Sequence, residues 1–169
     1  MRRLAFVLLT IPVLGTACGS SKHPASPTPP PKTPPSPARV LGAGAKALYV
    51  GGSWAVVTRG RTAVAAHLAG GTWHADRSGR VRIAILGPHA AAARKPQVAV
   101  ELKAPTRFVE TGLWVDGSEL VEKGGGLHPT DVTIYGAPDQ NLARGTHVAV
   151  AYGRTQTTGT AVAWVFRVG

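Results

Sequence analysis

The residues of this chain that most often carry chemistry are its histidines, and their spacing argues against a metal centre. Five of them are scattered along the chain, at His67, His74, His89, His128 and His147. None of the short His-x-His or Cys-His spacings that hold zinc is present. His67 and His74 flank a predicted hairpin, "LAGGTW", which can bring them together. The one methionine is Met1, which rules out a methionine cluster for Cu(I). We therefore predict no metal site and no cofactor.

Hydrolysis needs a nucleophile, a base and an orienting acid within reach of one another. Ser118, His128 and Asp131 occur within a short span. No Gly-x-Ser-x-Gly turn or pair of carboxylates surrounds them. The glycine-rich segment 122–131 lacks the lysine of a phosphate-binding loop, and we predict a flexible hairpin loop there. The sequence therefore predicts no catalytic residues and a protein that is not an enzyme.

The N-terminus has the pattern of an export signal. Arg2 and Arg3 precede the apolar run 4–14, and small residues follow before Cys18. The run is shorter than the ~20 residues that span a membrane, so we predict a signal peptide over residues 1–17. The segment "LGTAC" resembles the lipobox of bacterial lipoproteins, which implies that Cys18 is the lipid-attachment residue. Ordinary secretion with a free Cys18 thiol is the alternative.

A proline-rich segment follows this cysteine. Residues 21–38 contain eight prolines and, apart from them, no apolar side chain larger than alanine. Proline cannot donate to a sheet or continue a helix, and this composition is typical of an extended spacer. We expect residues 18–38 to be a disordered linker between the membrane and the folded part of the chain.

The chain is strongly basic, and its charge is unevenly distributed. It has 19 Lys and Arg against 8 Asp and Glu, a net charge of +11. Residues 39–109 contain eleven basic residues and two acidic ones. A surface of this sign attracts lipid headgroups or phosphate-bearing wall polymers. The candidate partner-binding surface is formed by five arginines: Arg59, Arg61, Arg77, Arg80 and Arg82.

Short apolar runs separated by turn signals predict an all-β fold. In the front half, the candidate strands are residues 46–50, 53–58, 61–68, 72–75 and 80–86. The glycine-bearing turns between them favour an antiparallel meander, and residues 87–97 are predicted to be a connector. We expect residues 39–96 to form an N-terminal β-meander lobe.

The back half continues this pattern and ends in two long strands. Asp116-Gly117 is a two-residue hairpin signal. The apolar stripe of the first terminal strand comprises Val148, Val150 and Tyr152, and that of the second comprises Val162, Trp164, Phe166 and Val168. We expect the two stripes to share a core. We expect the residues between them to point outward: His147, Ala149 and Arg167.

The segments "LARGTHVAVAYGRT" and "GTAVAWVFRV", with "GLWVDGSEL" upstream, carry a family resemblance. They resemble the bacterial immunoglobulin-like domains of cell-surface proteins, and the resemblance covers about residues 97–169. It implies an immunoglobulin-like β-sandwich in that part of the chain, preceded by the meander lobe. It implies no particular ligand, because sandwiches of this kind serve many functions.

Together these features predict a non-enzymatic, membrane-tethered envelope lipoprotein that binds a protein or an anionic wall component. The alternative is an exported carrier of a metal or small ligand, which would depend on His67 and His74. We expect the chain at the cell membrane, lipid-anchored and facing the extracytoplasmic side. Predicted export argues against a nucleic-acid partner.

Overall fold

A computed structural model describes Thr33 and residues 35–169, apart from the side chain of Leu127. The predicted signal peptide, Cys18 and most of the linker lie outside the described residues. Thr33–Gly169 forms one compact unit. Within the described part, no helix has the length and apolar character needed to cross a membrane.

The described residues form one short 3-10 helix, Pro37–Leu41, followed by strands. The strands of the front half are β1 (Lys46–Gly51), β2 (Trp54–Arg59), β3 (Thr62–Ala69), β4 (Thr72–Ala75), β5 (Arg82–Gly87) and β6 (Ala91–Ala92). Those of the back half are β7 (Val98–Lys103), β8 (Glu110–Val115), β9 (Ser118–Glu119), β10 (Lys123–His128), β11 (Asp131–Gly136), β12 (Gly145–Arg154) and β13 (Gly159–Val168).

The strands are arranged in three sheets. The first sheet has the order β1-β2-β3-β4, the second β10-β11-β7-β5, and the third β6-β13-β12-β8-β9. The second and third sheets reproduce the two strand sets of an immunoglobulin domain, in which a four-stranded sheet faces one built on three central strands. The fold is therefore an immunoglobulin-like β-sandwich with an additional N-terminal meander, and the predicted fold class is confirmed.

The third sheet is covered on both of its faces. One face packs against the second sheet in a core that includes Leu102 and Leu113, both fully buried. The other face packs against the first sheet in a core that includes Trp54, Val56 and Tyr152. The meander and the sandwich therefore share a continuous interior, with the third sheet as the middle layer.

We predicted that one face of β12 points outward. This prediction is wrong, because both faces of the third sheet are buried. Tyr152 faces the first sheet, whereas Trp164 and Phe166 of β13 face the second. His147 and Ala149, which we expected to point outward, pair with Phe166 and Trp164 and are buried on their side of the sheet. A strand that is buried on both faces has no outward side that alternation can reveal.

The junction between meander and sandwich also differs from the prediction. Residues 80–86, predicted to belong to the meander, contain most of β5, which pairs with β7 in the second sheet. The predicted connector 87–97 contains β6, which pairs in parallel with β13. Both segments therefore belong to the sandwich. The alternation within 80–86 is common to any half-buried strand, so it could not indicate which sheet the strand would join.

The glycine-rich segment is an edge strand rather than the flexible loop that we predicted. β10 pairs with β11 from Lys123 to His128, with one irregularity. A Cβ atom added to Gly124 or Gly126 would collide with the backbone of β11. Glycine therefore lets the two strands approach more closely than side chains would allow.

Candidate functional sites

Three exposed cations lie at one end of the first sheet. Lys46 begins β1 and pairs with Thr58. Arg59 and Arg61 flank Gly60 in the turn between β2 and β3. Gly60 has a φ of +58°, which favours glycine at this position of the turn. We refer to Lys46, Arg59 and Arg61 as the basic end.

The other three arginines of the predicted partner-binding surface lie on the connection from the first sheet to the second or where that connection ends. Beyond β4 the chain stays beside β3 for one more residue, where the Asp76 N–H donates a hydrogen bond to the Ala65 carbonyl at 2.8 Å. Arg77 follows directly, Arg80 comes later in the connection, and Arg82 begins β5. All three are exposed. The five arginines of the predicted partner-binding surface are thus divided between the β2–β3 turn and the segment that leads into β5.

A groove of about 320 Å³ lies beside the basic end. Its lining combines apolar and charged side chains, among them Leu48, Val148, Val150, Lys46, Arg59 and Asp116. In the ion pairs among the described residues, the basic partners are Lys103, His147 and Arg154. The basic end takes part in none of them. Its positive charge is therefore available to an anionic ligand.

The carboxylate of Asp116 is occupied by His147 and the backbone. His147 donates from Nδ1 to Asp116 Oδ2 at 2.6 Å and from Nε2 to the Ala143 carbonyl at 2.9 Å. The Val148 N–H donates to Asp116 Oδ1 at 2.9 Å. The hydrogen bond to Asp116 raises the pKa of His147 above its ordinary value, while burial lowers it. Because both ring nitrogens face acceptors in the fold, the role of His147 is structural.

The structure does not assemble the catalytic trio considered from the sequence. Ser118 lies on β9 of the third sheet, whereas His128 and Asp131 pair in the second. Ser118 does line a cavity of about 480 Å³ together with His147 and Asp116. The Nε2 atom of His147 would have to accept the serine proton, but it is bound to a backbone carbonyl. This arrangement does not provide a general base.

A polar network joins the first sheet to the third. Glu110, at the start of β8, accepts hydrogen bonds from the Tyr49 hydroxyl and from Nε of Arg154, the latter at 2.5 Å. The Tyr152 hydroxyl lies 3.4 Å from the same carboxylate, and burial raises the pKa of Tyr152. Arg154 also lies 5.9 Å from the centre of the Trp54 ring. These contacts connect β1 and β2 to β8 and β12.

A second carboxylate, that of Glu122, is half-buried. Glu122 accepts a hydrogen bond from the Thr111 hydroxyl at 2.7 Å. Burial raises the pKa of Glu122, and the hydrogen bond from Thr111 opposes that effect. Its ionised form is therefore held in the fold at a cost in free energy.

His67 and His74 are brought together across the β3–β4 hairpin, as the sequence suggested. They pair directly, and their ring centroids are 5.8 Å apart. On the neighbouring strand β2, Trp54 also pairs with His67, and the centroids of these two rings are 5.5 Å apart. His74 is exposed and His67 is half-buried, with an Nδ1 atom that is buried without a hydrogen-bond partner. No group of three or more metal-ligating side chains occurs in the described part.

The four tryptophans pack in or against the apolar cores of the described residues. Trp54, Trp114 and Trp164 are at most 9% exposed, and Trp73 packs partly buried against the outer face of the first sheet. The cluster of Ala55, Val57 and Ala66 provides the apolar surface against which Trp73 packs.

No family model matches this chain, and no curated protein matches it either. Among solved structures, a complex of Dpr2 Ig1-Ig2 with DIP-Theta Ig1-Ig3 is similar at 11% identity and a TM-score of 0.40. That match covers 69% of this chain and 40% of the other. A structure of titin M4 is similar at 13% identity and a TM-score of 0.35, covering 53% and 95%. The fold assignment rests on the strand order and not on these similarities.

Proposed function

We propose that this protein is a non-enzymatic envelope module, tethered to the membrane through Cys18, that binds an anionic component of the cell surface. The observation that supports binding is the basic end, where Lys46, Arg59 and Arg61 are exposed without acidic partners among the described residues. The adjacent groove adds apolar surface beside this charge. An acidic protein surface is the second class of partner that a basic surface of this kind would bind.

A phosphate-bearing polymer suits the basic end best. The guanidinium group of arginine presents a planar fork of donors that matches phosphate oxygens. Exposed charges are screened over about 8 Å at physiological ionic strength, so one contact gives little affinity. A polymer that repeats its charge can engage the turn and the connecting segment together, which adds their contributions.

The tether follows from the N-terminal sequence. Two acyl chains on Cys18 would anchor the chain stably, because one chain alone gives only marginal membrane binding. An extended proline-rich segment rises ~3.1 Å per residue, so residues 21–38 would hold the sandwich roughly 50 Å from the lipid. That distance would place the basic end among envelope polymers rather than at the bilayer.

The tether is tested by fractionating cells that express the native chain or Cys18→Ala, with intact-mass analysis of each product. We expect native protein in the membrane fraction with a diacylated Cys18 at its N-terminus, and release of the variant. Two soluble products with an unmodified Cys18 would overturn the tether.

Binding is tested by titrating fluorescent poly(glycerol phosphate) with the native chain and with Arg59→Gln/Arg61→Gln. We expect at least a tenfold loss of affinity in this variant. The matched control is Arg107→Gln/Arg144→Gln, which removes two exposed arginines outside the candidate surface. An equal loss in both variants, or no binding by the native chain, would contradict recognition of the polymer by the basic end. Capture of an acidic protein in place of the polymer would identify the other partner class.

A further inference from the structure

The imidazole rings of His67 on β3 and His74 on β4 are spaced like two ligands of one metal ion. Directly opposed residues of an antiparallel pair have Cβ atoms about 5 Å apart. With metal–nitrogen distances near 2.1 Å and a tetrahedral angle, two imidazole ring centres fall roughly 5 Å apart. The rings of His67 and His74 are 5.8 Å apart and tilted by 33°. The observed separation is therefore close to that of two imidazoles that share an ion.

Neither ring is occupied by hydrogen bonds from the described residues, and this distinguishes the pair from His147. His147 uses both of its nitrogens, to Asp116 and to a backbone carbonyl. His67 instead keeps a buried Nδ1 atom without a partner. A neutral imidazole has one donor and one acceptor nitrogen, so either tautomer of His67 leaves a polar atom at Nδ1 unsatisfied. An unsatisfied buried polar group is costly, which favours a ligand at this position.

From this geometry we propose that His67 and His74 form a binding site for a divalent transition metal, with Cu(II) bound most tightly. Imidazole nitrogen suits copper, nickel and zinc, and affinities in such a site rise toward Cu(II). Magnesium and calcium prefer oxygen ligands and are not expected to bind. This site is separate from the basic end and does not depend on the proposed function.

The protein supplies two ligands and leaves the remaining coordination positions open. Asp76 follows His74 two residues along β4 and its extension, so it lies on the same face. Its two carboxylate oxygens already accept hydrogen bonds from the N–H groups of Ser78 and Gly159, at 2.8 and 2.7 Å. Water or a group from a partner would fill the open positions. Such a site suits an ion that is exchanged rather than one locked into the fold.

Trp54 provides a reporter for this site, because its ring lies 5.5 Å from that of His67. Cu(II) quenches tryptophan fluorescence at short range. The untagged full chain with Cys18→Ser, which removes the competing thiol, is titrated with CuCl₂ while fluorescence and heat are recorded. We expect one equivalent to bind with quenching, and His74→Ala to weaken binding at least tenfold, or about 1.4 kcal/mol. The matched control, His128→Ala, should bind like the parent.

Electron paramagnetic resonance then counts the nitrogen ligands. We expect coupling to two imidazole nitrogens in the parent and to one in His74→Ala, and the affinity order Cu(II) above Ni(II) and Zn(II), with no response to Mg²⁺. Because the His74 side chain is exposed, this variant should keep its circular dichroism spectrum. Copper binding that survives unchanged in His67→Ala/His74→Ala, or no binding by the parent, would overturn the site.

Discussion

Glu110→Gln should weaken the attachment of the meander to the sandwich. The substitution removes the negative charge that Tyr49 and Arg154 share, and it leaves the guanidinium group of Arg154 without its ion partner. The side chains of Glu110 and Arg154 are only 21% and 22% exposed. Water can therefore replace the lost interaction only in part, and the free energy of unfolding should fall.

The expected loss is about 2–3 kcal/mol. Removing one partner of a buried ion pair costs roughly 3–5 kcal/mol. The residual exposure of both side chains lowers this figure, and the glutamine oxygen still accepts a hydrogen bond from Tyr49. A loss of this size should lower the melting temperature of a domain of this length by roughly 10 °C.

Urea unfolding, followed by circular dichroism, measures the change. The matched control is Glu101→Gln, whose carboxylate lies 3.3 Å from the ammonium group of Lys103 in an exposed pair. Exposed pairs contribute about 0–1 kcal/mol, so this control should change little. Adding Tyr49→Phe to each variant then measures the coupling to Glu110. A Glu110→Gln loss no larger than that of Glu101→Gln, with no coupling to Tyr49, would refute a contribution of the network to the attachment of the first sheet to the third.

Two other predictions concern pH. Glu122→Gln should raise the melting temperature at pH 7, because it removes a half-buried charge whose pKa is raised and keeps an acceptor for Thr111. The gain should shrink as pH falls toward about 4, where the unfolded glutamate protonates. A gain independent of pH would contradict this reasoning. His147→Gln should lose most stability, relative to the native chain, at acidic pH. The pKa of His147 is raised in the folded state. The stabilisation from its protonation is therefore complete below about pH 6.5 and is lost as pH rises through the folded-state pKa. Differential scanning fluorimetry from pH 5.5 to 8.5, with His128→Gln as control, should show the His147 variant approaching the native chain as pH rises, and parallel curves would refute it.

Much of the fold could be predicted from the sequence because its signals are local. Glycine-bearing turns marked the four hairpin strands of the first sheet, and the Asp116-Gly117 turn appears with φ of 51° and 87°. His67 and His74 could be paired from the short hairpin between them. Each of these features depends on residues that are neighbours along the chain.

The rest depends on contacts between distant residues, which alternation does not encode. β5 joins β7 in the second sheet, and β12 is buried between two layers, so His147 points inward to Asp116. The Glu110 network escaped prediction because Tyr49 and Arg154 lie far from it in sequence. The available signal was a glutamate at the start of an apolar strand, with a tyrosine and an arginine on other strands.

Recognition of an anionic polymer by the basic end is tested most directly by the salt dependence of its affinity. Binding a polyanion releases counterions, so the logarithm of the affinity falls linearly with that of the salt concentration. We predict a steep fall for the native chain with poly(glycerol phosphate), and a slope reduced by roughly two in Arg59→Gln/Arg61→Gln, one for each lost contact. An affinity insensitive to salt, or the same slope in the native chain and the variant, would contradict the account.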